Sequence, residues 1–191
     1  GSYAIARLHF KGKNLLLNGV LLVYLFPGVL LIIPLFAMLA QVGDKLGFGV
    51  QDNLGVLVFT YFSQTLPVAL YMLTNYFRTI PDEIEQAALI DGCSRLEVIW
   101  RVTLPLALPS IAVAALMAFL VGYTEFAIGW LFVERGENVT LAMAVSGMIG
   151  QGAAWSNLSA LAILMSLPVI LIFLLLQRYL MRGLLIGRID E

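Results

Sequence analysis

The sequence predicts an all-α membrane protein, a polytopic bundle of four spanning helices. Three observations lead there. The 191-residue chain is 61% hydrophobic and only 12% charged, about half the charge of an ordinary soluble domain. Its mean hydropathy is +0.94. Four apolar runs, residues 15–40, 54–77, 105–133 and 157–181, each reach the roughly 20 residues that a helix needs to cross a bilayer.

In chain order, a basic lead-in with Arg7, Lys11 and Lys13 precedes the first run, which contains Pro27 and Pro34. Proline inside a soluble helix costs about 3 kcal/mol. In a membrane bundle neighbouring helices satisfy the freed carbonyls, so kinks are expected there. Residues 41–53 carry Gly43, Asp44, Lys45, Gly47, Gly49, Gln51 and Asp52, the composition of an exposed loop. The second run holds Pro67 and the polar residues Ser63, Gln64, Thr65, Thr74 and Asn75. Polar side chains inside a membrane normally face partner helices, and these are expected to do so or to line a wet path. After the third run, residues 134–156 form an external loop with polar ends. Its apolar middle, 140–149, is too short to cross and is expected to be an interfacial or re-entrant helix. Pro168 interrupts the fourth run.

Orientation follows from Lys and Arg. Arg7, Lys11, Lys13, Arg78, Arg95, Arg101, Arg178, Arg182 and Arg188 fall on one side, against Lys45 and Arg135 on the other. This places both termini and residues 78–103 in the cytoplasm.

That cytoplasmic segment is the densest charge in the chain. Pro81 suits the first position of a helix. Asp82, Glu83 and Glu85 fill the first turn, where the helix dipole favours negative charge. Ile84, Ala87, Ala88 and Asp91 share a face at helical spacing, and the two alanines leave it flat enough for another backbone to approach. Asp91-Gly92 ends this helix with a residue suited to a left-handed cap. Ser94-Arg95-Leu96-Glu97 then fits a capping box and starts a second short helix. The result is a helix–turn–helix elbow over 78–103. An amphipathic connector resting on headgroups is the competing reading, but such helices carry Lys/Arg opposite bulky apolar residues. Here the polar face is acidic and alanines replace the bulk.

Other residues bound the function classes. A net charge of −1 without a dense basic cluster argues against nucleic acid. Cys93 is the single cysteine and His9 the single histidine, so neither an intrachain disulfide nor a ligand set for a metal is expected. No G-x-x-x-x-G-K run is present. An intramembrane enzyme would need a nucleophile–base or metal constellation that the sequence lacks. A secondary transporter would need several intramembrane charges, and only Glu125 qualifies. Such a residue marks a pathway or, near the end of its run, the outer interface. Tyr123 and Trp130 beside it fit either stacking surfaces or an interface belt.

Glu85-Gln86-Ala87-Ala88-Leu89-Ile90-Asp91-Gly92, followed by Leu104-Pro105 and Pro109, resembles the EAA loop of ABC importer permeases, with an "IDG" form similar to the carbohydrate-importer branch. Further likenesses are Tyr3-Ala4-Ile5-Ala6-Arg7, Phe10-Lys11-Gly12, Ile33-Pro34-Leu35, Asn53-Leu54-Gly55, Phe77-Arg78-Thr79-Ile80-Pro81 and Thr124-Glu125-Phe126. The ending Gln177-Arg178, Arg182-Gly183-Leu184 and Gly187 is similar too, so the resemblance covers nearly the whole chain. It implies a single transmembrane permease domain of the type I importer fold, of which four of six helices are present and the first two lie outside this chain. It implies no catalytic residue and no cofactor here, with ATP and Mg bound by a partner ATPase dimer. A second homologous permease, an extracytoplasmic solute-binding protein and a sugar are the other implied partners, in the prokaryotic inner membrane. The elbow would be the coupling helix, through Glu85, Gln86, Ala87, Ala88, Asp91 and Gly92. Gln86 stands where the motif usually has its acid, so Glu85 or Asp82 would have to supply a docking charge. Glu125 and Tyr123 are the candidate substrate path. Gly136, Asn138, Gly150 and Gln151 are the candidate contact loop for the binding protein, or part of a packed plug. The tail, 182–191, is an anchor or an ATPase contact. The solute would be a sugar, with a polyol or phosphate ester as the alternative.

Overall fold

A computed structural model describes residues 1–134 and 138–186, with side chains as far as Tyr179. Helices dominate because long apolar runs must bond every backbone group internally once in lipid. In order they are α1 (Ser2–Arg7), α2 (Lys13–Leu25), α3 (Gly28–Leu46), α4 (Leu54–Thr79), α5 (Asp82–Ile90), α6 (Arg95–Val98), a π-helical turn (Ile99–Thr103), α7 (Leu104–Leu106), α8 (Leu108–Thr124), α9 (Ala127–Phe132), α10 (Leu141–Gly150) and α11 (Trp155–Ile186). Among the described residues, α3, α4 and the stretch Trp155–Tyr179 of α11 are each long and apolar enough to cross a membrane. A fourth crossing is met only by the pair Arg95–Leu106 and Leu108–Thr124, which bends by 73°.

Two expected spans are divided differently. The run 15–40 breaks at Phe26-Pro27, where Pro27 takes an extended ψ of 106° and caps α3. Having no N–H, it also cannot continue the hydrogen-bond ladder of α2. Helix α3 then extends through the expected loop residues Gln41 to Lys45. It stops where Gly47, at φ 77°, donates its amide to Gly43. The run 105–133 ends as a helix at Thr124, because the Glu125 carboxylate starts α9 afresh. Its oxygens accept the amides of Ile128 at 2.8 Å and Gly129 at 3.0 Å, donors that a helix start otherwise leaves unmet. By contrast, α3, α4 and α11 run uninterrupted through Pro34, Pro67 and Pro168.

Contacts divide the chain into two compact units. In the first, comprising 1–23, 67–117 and 173–191, Phe77, Ile80 and Ala107 form the core, joined by Tyr3, Ala6, Leu73, Leu104 and Ile111. Tyr3 meets Phe77 edge-on at 5.9 Å between ring centres. The Tyr76 hydroxyl donates to the Leu106 carbonyl at 3.1 Å, close to the bend. In the second unit, comprising 24–66 and 118–172, Ile32, Leu39, Val50, Leu57, Ile128, Phe132 and Val133 are the buried core. Phe36 packs edge-on against Phe132 at 5.0 Å. There the loop after α3 is tied to the end of α9: the Asp52 amide donates to the Phe132 carbonyl, and the Glu134 amide to the Asp52 carboxylate, both at 2.9 Å.

The polar residues of α4 divide by local chemistry. Ser63 and Thr65 bond back to the carbonyls of Thr60 and Tyr61, which lets a hydroxyl sit in an apolar setting without a partner helix. Ser63 is exposed, whereas Thr74 is fully buried. Because Phe132 is wholly buried and packs edge-on against Phe36, replacing it with Ala is expected to lower stability by about 3–5 kcal/mol. Thermal unfolding of the detergent-solubilised protein measures this, and a change near zero would rule out the assigned core.

Candidate functional site

The elbow is built by capping. Pro81, at φ −59° and ψ 135°, occupies the N-cap one position earlier than expected, so α5 begins at Asp82. Asp82, Glu83 and Glu85 lie in the first turn as the sequence indicated. At the other end Gly92 takes φ 91°. Its amide donates to the Leu89 carbonyl and that of Cys93 to Ala88, both at 3.1 Å. This paired arrangement closes a helix and reverses the chain. A side chain at Gly92 would meet open space but would strain a left-handed backbone.

The next helix starts at once. Glu97 donates its amide to Ser94 Oγ at 3.4 Å, and the Ser94 amide donates to Glu97 Oε2 at 2.9 Å, the reciprocal capping box. These Ser94 donors, the amide foremost, together with Arg101 hold the Glu97 carboxyl below its ordinary range. The π-helical turn over Ile99–Thr103 follows. Thr103 Oγ1 also lies 3.4 Å from the Val98 carbonyl, five residues back along that turn. Ala107, fully buried, marks the bend into α8.

The inner side of the elbow holds a charge cluster. Glu85 is only 9% exposed. Its Oε1 accepts Arg7 Nε at 3.1 Å and the Thr103 hydroxyl at 3.0 Å, and its Oε2 accepts the Tyr3 hydroxyl at 3.0 Å. Arg7 also donates to the Asp82 carboxylate and, at 2.6 Å, to the Ile80 carbonyl. A buried carboxylate is tolerable only when paired and hydrogen-bonded in this way. Arg7 and Tyr3 stand four residues apart on α1, so one helix face supplies both donors.

Glu85 is one of the two acids expected to supply a docking charge, and both of its oxygens accept bonds from within the chain. Asp82 is exposed but is paired with Arg7. Gln86, Ala87, Asp91 and Gly92 are exposed, and Ala88 is half-buried against the inner side. Large apolar side chains stand exposed among these polar ones: Ile90, Leu96 and Trp100 are 86%, 70% and 71% exposed. Sequence reasoning missed Arg7, Tyr3 and Thr103 as members of the site. The i, i+4 pairing of Tyr3 with Arg7 was the available signal, but nothing local says which carboxylate, more than 70 residues away, the pair meets.

The other candidates are held apart. Glu125 is turned onto the amides of α9, while the Tyr123 hydroxyl donates to the Met165 carbonyl at 2.9 Å. The two do not converge on one spot. The buried hydroxyl of Tyr61 lies beside the Glu125 carboxylate. In the contact-loop set, Asn138 Nδ2 donates to the Asp52 carbonyl at 3.4 Å. Gly150 and Gln151 are exposed at the end of α10. Gly136 lies outside the described residues, as do Gly187 to Glu191 of the tail. Among the described residues no three of His, Cys, Asp and Glu gather as metal ligands.

The model for binding-protein-dependent transport system inner membrane components matches residues 1–186. Over 188 residues the chain is 35% identical to the inner membrane ABC transporter permease protein YcjP of Escherichia coli (strain K12), covering 98% of this chain and 65% of that protein. Over 187 residues it is 33% identical to the maltose/maltodextrin transport system permease proteins MalG of Photorhabdus laumondii and of Salmonella typhimurium, covering 97% of this chain and 63% of each. The chain thus spans less than two thirds of the length of these relatives.

Glu85→Ala removes an acceptor from three donors, two of them uncharged hydroxyls. It is expected to cost roughly 1.5–3 kcal/mol, the worth of a hydrogen bond to a charged group. Glu83→Ala, on the exposed side of the same helix, should stay within about 0.5 kcal/mol. Denaturation of the two variants side by side measures the difference, and equal effects would contradict the buried assignment of Glu85.

Proposed function

The chain belongs to the family of binding-protein-dependent transport system inner membrane components, and we propose that it is the coupling portion of a sugar-importer permease. In this reading the elbow docks on a cytoplasmic ATPase dimer, which binds ATP and Mg and whose ATP-driven closure shifts the elbow. The kinked helices then reorient a path between the two sides of the membrane. This chain supplies no catalytic group. A second permease of the same kind completes the path, and a solute-binding protein delivers the solute on the outer side, with 134–156 as its contact loop. Both ends of this chain lie in the cytoplasm, which agrees with the Lys and Arg asymmetry.

One observation carries the reading. The elbow is fixed internally by Glu85, yet it leaves Ile90, Leu96 and Trp100 uncovered by the chain's own residues. A rigid element with a polar inner anchor and large apolar residues facing outward has the anatomy of a protein interface, where an aromatic anchor in a partner's pocket dominates affinity. The acidic first turn and the flat alanine at position 87 are poorly suited to headgroups. The sugar assignment is supported by the names of the MalG relatives and by the form of the 85–92 motif. Glu125 and Tyr123 remain the proposed contribution of this chain to the path. Since both are engaged with backbone groups, they would shape its wall rather than bind solute as free side chains.

The test is Ile90→Glu in the full-length chain expressed with its partner subunits. Loss of a hot-spot residue costs at least about 2 kcal/mol, a weakening of roughly thirtyfold. Co-purification of the ATPase subunit should therefore fall sharply, with the melting temperature of the permease unchanged. Undiminished co-purification would remove the elbow from the interface.

A further inference from the structure

The Glu85 carboxylate is the meeting point of three elements that are far apart in sequence. Arg7 and Tyr3 reach it from α1, its own backbone belongs to α5, and Thr103 reaches it from the π-helical turn. Arg7 adds the Ile80 carbonyl, which lies in the link between α4 and α5. The side chains of Arg7 and Glu85 are 11% and 12% exposed, so water screens this pair little, and separating its members strands a buried charge.

The position of Thr103 gives the cluster a mechanical meaning. A π-helical turn has widened i→i+5 spacing and poorer geometry, and such turns often sit at functional deformations. Here it lies between the elbow and the 73° bend into α8. An unbraced turn would absorb a displacement of α5 by local unwinding. The Thr103 hydroxyl on Glu85 braces it from the elbow side, and Arg7 braces the same carboxylate from α1. We infer that Arg7, Tyr3, Glu85 and Thr103 are positioning residues forming a buried strut, by which α1, α5 and the π-helical turn move as one body. The inference rests on the elbow being the coupling element, and adds the route by which its displacement leaves it: through α1 as well as along the chain into α8.

The test uses the full-length chain, reconstituted with its partner subunits and carrying Cys93→Ser. Spin labels are placed at His9→Cys and Arg95→Cys, both exposed and outside the strut. Label separation is compared without nucleotide and after trapping with ATP and vanadate. Helix shifts in switching proteins run to about 1–2 Å or more. A separation that stays within about 2 Å while the ATPase subunits co-purify is the expected result. Arg7→Gln should let the separation change by more than that between the two states. Thr103→Val, which removes one hydroxyl at constant volume, is the second variant should Arg7→Gln fail to assemble. A larger change in the chain with its native strut, with co-purification intact, overturns the inference alone. Native separations retained in every assembled variant overturn it equally. Failure of the unaltered chain to hold the ATPase subunits overturns the docking reading, and the inference with it.

Discussion

Burial of the Glu85 carboxylate is the constraint on which the elbow depends. A carboxylate this enclosed must be matched by donors, because burying it without partners is costly. The matching here draws Tyr3 and Arg7 from the start of the chain and Thr103 from beyond the elbow. The link through Ile80 is tied by the same guanidinium. With these fixed, the side of α5 carrying Glu85 must face the core of Phe77, Ile80 and Ala107, and Ile90 is left outward. The orientation of the elbow therefore follows from one buried, hydrogen-bonded side chain rather than from the apolar pattern, since α5 offers no broad hydrophobic stripe of its own.

A second rule shapes the unit that contains α3 and α9. Backbone groups freed at a helix break need partners, and at three helix starts in that unit a side chain supplies one. Glu125 meets the first amides of α9. Asn53 Oδ1 accepts the amides of Gly55 and Val56 at the start of α4, and Thr140 accepts that of Met143 at the start of α10. Asp52, at a φ of 56°, then ties residues 47–53 to Phe132, Glu134 and Asn138. Polar residues that look like candidates for a solute path are, in this unit, largely the caps and ties that such breaks require.

Much of this was legible in the sequence. The all-α membrane class, the elbow, the Asp91-Gly92 turn and the capping box at Ser94 were all visible, because each rests on local periodicity or on residues within one turn of one another. The breaks at Pro27 and Glu125 were harder to place. A proline inside a membrane run is compatible with an unbroken helix, as Pro34, Pro67 and Pro168 demonstrate. An acid near the end of a run reads as pathway or interface before it reads as a cap. The role of Glu85 was not legible at all. Docking and internal bracing place the same carboxylate on the same helix, and only the three-dimensional position of Arg7 separates them.

In the proposed coupling role the elbow would have to satisfy two opposed demands, a rigid hold on its own chain and a free surface for another. Glu85 provides the first, and Ile90, Leu96 and Trp100 provide the second. The most direct measurement of that division is hydrogen–deuterium exchange on the full-length permease, with and without its ATPase subunits. Slower exchange across 86–100 on adding those subunits, with 138–155 unchanged, is the predicted result. Unchanged exchange across 86–100, or protection confined to 138–155, would contradict the account.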